Sequence, residues 1–174
     1  MSAKNMGTDS FANLKRLQLR VLPDQVLRSV GADIETFDKG LQDFAKRMLS
    51  FMRKKGGIGL AAPQVGVLRR IVVVGVHGQE MVLINPSIMP VTTDSDTKTE
   101  GCLSIPDETY DVTRLFQIEV RARDVKGKKL NFAAHNLLAR VIQHEIDHLD
   151  GVLICDKEAS GIGSRERGID NANI

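Results

Sequence analysis

A chain of 174 residues with 24 lysines and arginines against 22 acidic residues carries a net charge of +2 and is long enough for one domain with a sizeable core. The balanced signs, one tyrosine and no tryptophan leave neither the basic footprint nor the stacking aromatics of a nucleic-acid binder. No apolar run reaches membrane-spanning length, and two cysteines, Cys102 and Cys155, form no disulfide framework and suit a reducing compartment. No apolar signal-peptide core follows Met1, so the expected location is the cytoplasm. Lys4, Lys15, Arg16 and Arg20 give a faint transit-peptide character, with an organelle as the alternative and Asp9 against it.

Residues 1–16 are polar and are expected to form a flexible N-terminal extension, followed by a single domain over 17–159 and a polar tail over 160–174. The tail has little apolar surface to bury and is not expected to complete a site. Phe37, Leu41, Phe44, Met48 and Phe51 recur at helical spacing and predict an amphipathic helix packed on a sheet, ended by Lys54-Lys55-Gly56-Gly57. The run Gly57-Ile58-Gly59-Leu60-Ala61-Ala62-Pro63-Gln64 has the glycines of a phosphate cradle but lacks the Lys-Ser/Thr ending of a P-loop. On its residues alone it is a turn between helix and strand.

Arg70-Ile71-Val72-Val73-Val74 and Met81-Val82-Leu83-Ile84 are β-rich runs and predict a hairpin, with His77 in its turn. Asp94 to Thr99 reads as a polar loop, and Glu100-Gly101-Cys102-Leu103-Ser104-Ile105-Pro106 as a short apolar strand behind a flexible glycine. Phe116, Ile118, Val120 and Ala122 alternate with polar residues in a half-buried strand, which Val125-Lys126-Gly127-Lys128 turns back into Leu130-Asn131-Phe132. Leu137, Leu138, Val141 and Ile142 then lead a helix that begins near Asn136. Strands first and this helix late predict an α+β fold, antiparallel or mixed β-sheets packed around a central metal-binding helix.

That helix carries His144-Glu145-Ile146-Asp147-His148. Residues four apart share one helical face, so His144 and His148 can reach one cation, and Glu145 beside them can take a proton from a water that the cation activates. The plainer alternative is two satisfied core histidines and a solvated glutamate. A catalytic metal site normally has three protein ligands. Metzincins find theirs downstream at a position that is Ile154 here, although Gly151 is kept. Glu158 follows, too near the end of the chain to return to the site, so the third ligand lies upstream. His77, His135 and Cys102 are the candidates, with carboxylates as weaker ones, and the residues favour Cys102 without fixing it.

Gly57 to Gln64, Glu100 to Ser104 and Gln143 to His148 resemble, in order, the three motifs of the peptide deformylases, and the resemblance runs from about Leu17 to Asp156. It implies removal of the formyl group from the initiator methionine of nascent polypeptides, with an N-formylmethionyl peptide as substrate and transient proximity to the ribosome. It also implies Cys102, His144 and His148 as metal ligands and Glu145 as base. Ligand type suits Zn2+, whereas the resemblance implies Fe2+ as the native ion, with Zn2+, Ni2+ or Co2+ as substitutes. Gln64 and the backbone N–H of Leu103 are implied donors to the reacting carbonyl.

Ile58 and Gly59 resemble the segment that pairs with an extended peptide, and Gly101 joins them as substrate-binding. Ile58, Leu137 and Val141 are the candidate walls of a methionine pocket. Thr109 stands where some members have an arginine, so peptide contacts beyond methionine are expected to differ; Arg114 is expected to be a structural or rim residue. A zinc endopeptidase and a non-catalytic metal-binding relative are the rival classes. The missing downstream ligand and the other two motifs count against the first, and retention of Glu145 and Gln64 against the second.

Overall fold

The computed structural model describes residues 16–158 together with Phe11. The flexible extension expected over 1–16 therefore lies outside the described residues except for Phe11 and Arg16, and the tail over 160–174 lies outside them entirely. Phe11 is buried and stacks on Phe44 with ring centroids 4.8 Å apart, while Arg47 donates to its carbonyl at 2.8 Å.

Helix α1 (Lys39–Lys54) starts where the Asp38 carboxylate accepts the N–H of Leu41 at 2.9 Å, satisfying one of the donors a helix N-terminus leaves free. Leu41, Phe44 and Met48 are buried as their spacing predicts. Met52, not Phe51, completes the buried face; Phe51 is half-buried, with the Lys55 ammonium 5.7 Å from its ring centroid.

Strands β1 (Gly59–Ala61), β2 (Ile71–Val76), β3 (Gln79–Pro90), β6 (Gln117–Arg123) and β7 (Lys129–His135) form a five-stranded sheet in the order β1-β2-β3-β6-β7. Strands β4 (Ser95–Cys102) and β5 (Ile105–Leu115) form a separate two-stranded ribbon. All pairings between these strands are antiparallel, so neither sheet is mixed.

Side chains alternate across β2, and both of its faces are covered, which is why it reads as an unbroken apolar run. Ile71 and Val73 pack with Leu41, Phe44 and Met48 of α1. Val72, Val74 and Val76 pack on the opposite side with Val141, Ile142 and Leu149 of helix α2 (Asn136–Leu149). The other flank of α2 faces the ribbon, where the Gln143 amide bonds the N–H and C=O of Leu115 at 3.0 and 2.9 Å. The helix is thus central, with the large sheet on one side and β4–β5 on the other.

Two expectations change. The segment Asp94 to Thr99, expected as a loop, is mostly strand β4. Several of its cross-strand pairs are polar on both sides: Thr97 bonds Thr113 at 2.7 Å and Thr99 donates to Asp111 at 2.7 Å. Polar pairs on an exposed ribbon leave no apolar alternation to read. Strand β3 runs beyond Ile84 because Asn85, at φ 49, inserts a bulge, and its side chain clamps the N–H and C=O of Ile34 at 2.8 and 2.9 Å. Gly151 also finds its reason: at φ 73 it ends α2, and a Cβ there would come 2.6 Å from the carbonyl oxygen of Arg28. Ile154 beyond it is core.

Candidate active site

Cys102 ends β4 at a register shift, and α2 presents His144 and His148 one turn apart opposite it. The ligand atoms of these three buried residues all lie within 4.8 Å of one another, and among the described residues no other such group of histidine, cysteine or carboxylate side chains is found. His77 sits exposed in the β2–β3 turn and His135 exposed at the start of α2, away from this cluster.

The donor set fits a cation. Cys102 Sγ lies 3.3 Å from His148 Nε2, near the ~3.5 Å that separates a thiolate and an imidazole ligand on one tetrahedral ion. His144 is held by Glu100, whose Oε2 meets Nδ1 at 3.0 Å, which leaves His144 Nε2 buried without a partner. An imidazole oriented through its second nitrogen by a carboxylate is the usual arrangement of a metal-binding histidine. Burial holds both histidines below the usual imidazole range, so they stay neutral donors, and pushes the Cys102 thiol up to about 12. A cation taken up here must displace that proton.

Glu145 is fully buried, and neither of its carboxylate oxygens has a partner. Burial raises its pKa well above the usual carboxylate value. It lies against Gly59 of β1, where a Cβ would collide with Oε1 and come 2.9 Å from Val141 Cγ1. Gly57 is backed the same way, its Cβ position 2.9 Å from Leu103 Cδ1. The absence of two side chains therefore lets the glycine segment close on the site.

Gln64 is also fully buried. Its Oε1 accepts the Ala61 N–H at 2.8 Å, and its Nε2 donates to Ser104 Oγ at 3.2 Å and to Cys102 Sγ at 3.7 Å. Ile58 and Leu137, half-buried, pack in the same apolar cluster as Val141. Gly101 is buried opposite Thr109, which is exposed. The three stretches of sequence thus converge on one point.

Around that point stands a charge network that reading the sequence missed. Glu100 accepts from Arg114 at 2.9 and 2.8 Å and from Arg140 at 2.6 Å, with all three residues buried. Arg114 also pairs with Asp147. Arg114 is thus a buried structural residue and does not lie on a rim. The available signal was periodicity: Glu100 lies two residues before Cys102 on one face of β4, and Arg140 one helical turn before His144.

A family model described as polypeptide deformylase matches residues 17–162. The chain belongs to the polypeptide deformylase family. A peptide deformylase of Picosynechococcus sp. is 46% identical over 146 residues, covering 81% of this chain and 78% of its own. The crystal structure of the Thermotoga maritima peptide deformylase superposes with a TM-score of 0.80 at 36% identity, over 82% of this chain and 97% of that one. A Synechococcus elongatus peptide deformylase in complex with actinonin gives a TM-score of 0.80 at 42% identity, over 83% and 79% of the two chains. The α+β expectation therefore holds as a deformylase fold.

The Glu100 network gives this deformylase an acid-sensitive centre. Burial alone would raise the Glu100 pKa, but hydrogen bonds from Arg114 and His144 and their charges hold it at about 2, down from 4.5. A depressed carboxylate contributes stability that is fully present above pH 4.5 and is lost as pH falls through about 2. Glu100→Gln is expected to cost about 3 kcal/mol at pH 7, because Arg114 and Arg140 each lose one of their two carboxylate partners. Urea unfolding at pH 7 and pH 3 checks this, with the gap between variant and parent narrower at pH 3.

Proposed function

We propose that residues 17–159 form a single catalytic domain that removes the N-formyl group from the formyl-methionine of newly synthesised polypeptides and releases formate. The observation that carries this reading is the convergence of Cys102, His144 and His148 with the unpartnered Glu145 carboxylate and the Gln64 amide. A divalent cation held by Cys102 Sγ and by His144 and His148 would polarise water and make it a nucleophile near neutral pH. Glu145 takes the proton of the attacking water and delivers it to the departing amine nitrogen. Gln64 Nε2 and the Leu103 N–H donate to the oxyanion that develops on the formyl oxygen.

The peptide main chain lies along Ile58 and Gly59, with Gly101 leaving room beside it. Ile58, Leu137 and Val141 enclose the methionine side chain, whose flexible thioether fits an apolar wall. Gly59→Ala is expected to lower turnover by at least tenfold, because the added methyl displaces Glu145; a preserved kcat with raised KM would assign Gly59 to peptide binding alone.

Fe2+ is the proposed native ion, with Zn2+, Ni2+ or Co2+ able to replace it. Iron bound beside a thiolate is open to oxidation by oxygen or peroxide. Protein prepared without oxygen should contain iron and lose activity in air or peroxide, whereas the nickel-substituted form should resist both. A zinc-loaded preparation that is the most active and indifferent to peroxide would overturn the iron assignment. No helix among the described residues is long and apolar enough to cross a membrane. The proposed setting is the cytoplasm, beside ribosomes, where formylated chains emerge. Formate release from a formyl-Met tripeptide by anaerobically purified protein, with no cleavage of casein, tests the activity; the reverse result makes it an endopeptidase.

A further inference from the structure

We propose that Arg140 is a positioning residue that pins the register between β4 and α2, and so holds Cys102 against His144 and His148. On β4, residues two apart share a face, which places Asp96, Glu100 and Cys102 in one row. On α2, residues four apart share a face, which places Arg140, His144 and His148 in another. The repeat along each row is nearly the same: about 6.6 Å for two residues of strand and about 6.0 Å for four residues of helix. The step from Glu100 to Cys102 therefore matches the step from His144 to His148, while Asp96 lies two strand repeats before Glu100, about 13 Å, a gap that the long Arg140 side chain bridges by contacting both.

The contacts run along the two rows in the same order. Arg140 bonds the Asp96 carboxylate at 2.6 Å, the Asp96 carbonyl at 2.8 Å and Glu100 Oε1 at 2.6 Å. His144 meets Glu100 Oε2 at 3.0 Å. His148 meets Cys102 Sγ at 3.3 Å. Arg140 also donates to the Val112 carbonyl at 2.9 Å, so one guanidinium ties both strands of the ribbon to the helix that carries the histidines.

A pin on β4 is needed because the other side-chain ties from the ribbon to α2 outside the site, Gln143 to Leu115 and Arg114 to Asp147, hold β5. A two-stranded sheet is marginal alone, and β4 is exposed or half-exposed from Ser95 to Thr99. A strand without an apolar face specifies its register weakly. Displacing β4 along α2 would carry Cys102 away from His148 while the histidines stayed in place on the helix. Arg140 touches neither ion nor substrate in this scheme; it acts through Glu100 and the β4 backbone.

The inference rests on Cys102, His144 and His148 being the ligands, and the test separates the two ideas. Full-length protein is loaded with Ni2+ and challenged with excess EDTA, while the nickel–thiolate absorption band is followed. Arg140→Met is expected to speed Ni2+ loss by about 10- to 100-fold and to shift or broaden the band. Arg140→Lys, which keeps a single-point donor, should recover part of the retention. Release within about twofold of the parent rate and an unchanged band, from folded Arg140→Met, would overturn the proposal. Should Arg140→Met fail to fold, Asp96→Asn decides. It leaves Arg140, Glu100 and the ligands in place, so several-fold faster release supports the pin and an unchanged rate refutes it. A parent chain that takes up Ni2+ without a thiolate band refutes the ligand assignment itself, and this inference with it.

Discussion

Glu145→Gln is expected to bind about one metal ion per chain, as the parent does, and to lose roughly 10²–10⁴-fold in deformylation rate. The two side chains have the same shape, so the cavity against Gly59 stays filled. What changes is the ability to accept a proton. Both Glu145 oxygens are buried without a protein partner, which in a purely structural residue would be a costly arrangement. The stability of the variant is informative as well: an amide buries more cheaply than a carboxylate here, so its unfolding midpoint should equal or exceed that of the parent. Metal analysis after desalting and formate release under single-turnover conditions check both halves. Loss of the ion on substitution would make Glu145 a ligand and overturn its role as base.

Cys102→Ser is the second large effect: metal retention and activity should fall together by about 100-fold or more. A hydroxyl does not ionise at neutral pH, and the softer thiolate is the better partner for a late first-row ion. Because burial holds the free thiol near 12, uptake by the parent must release a proton, so affinity should rise by up to about tenfold per pH unit between pH 6 and 8. In Cys102→Ser that slope should flatten. Cys155→Ser serves as the control, since Cys155 lies outside the ligand group and contacts Arg28 and Asp156 instead. A Cys102→Ser protein that keeps its ion through chelation and turns over normally would remove Cys102 from the ligand set.

How far the sequence discloses this molecule depends on which signals are periodic. Helices α1 and α2 and strand β6 announce themselves because apolar residues recur at 3.6 or 2 along them, and the β2–β3 hairpin because its strands are unbroken β-rich runs. Strand β4 does not, since Thr97 and Thr99 pair with polar partners across an exposed ribbon. His144, Glu145 and His148 are legible because one helix carries all three. Cys102 is not, on spacing alone, because it stands 46 residues from His148 and only folding brings them together; the motif resemblance supplied it. Glu100, Arg114 and Arg140 are harder still. A buried ion network and a solvated charged face use the same letters, and a sequence does not say which charges lose their water.

The sheet that separates α1 from α2 also shapes how the chain can diverge. Val73 faces Phe44 and Met48, while its neighbour Val74 faces Val141 and Ile142. A cavity opened at one of these valines can be refilled only by residues of its own layer, so compensating substitutions should pair within a layer and seldom across it. The α1 layer borders none of the proposed ligands on α2. Drift or directed evolution can therefore work there, trading volume among Leu41, Phe44, Met48 and Val73, to tune the temperature range of the protein while its chemistry stays where it is.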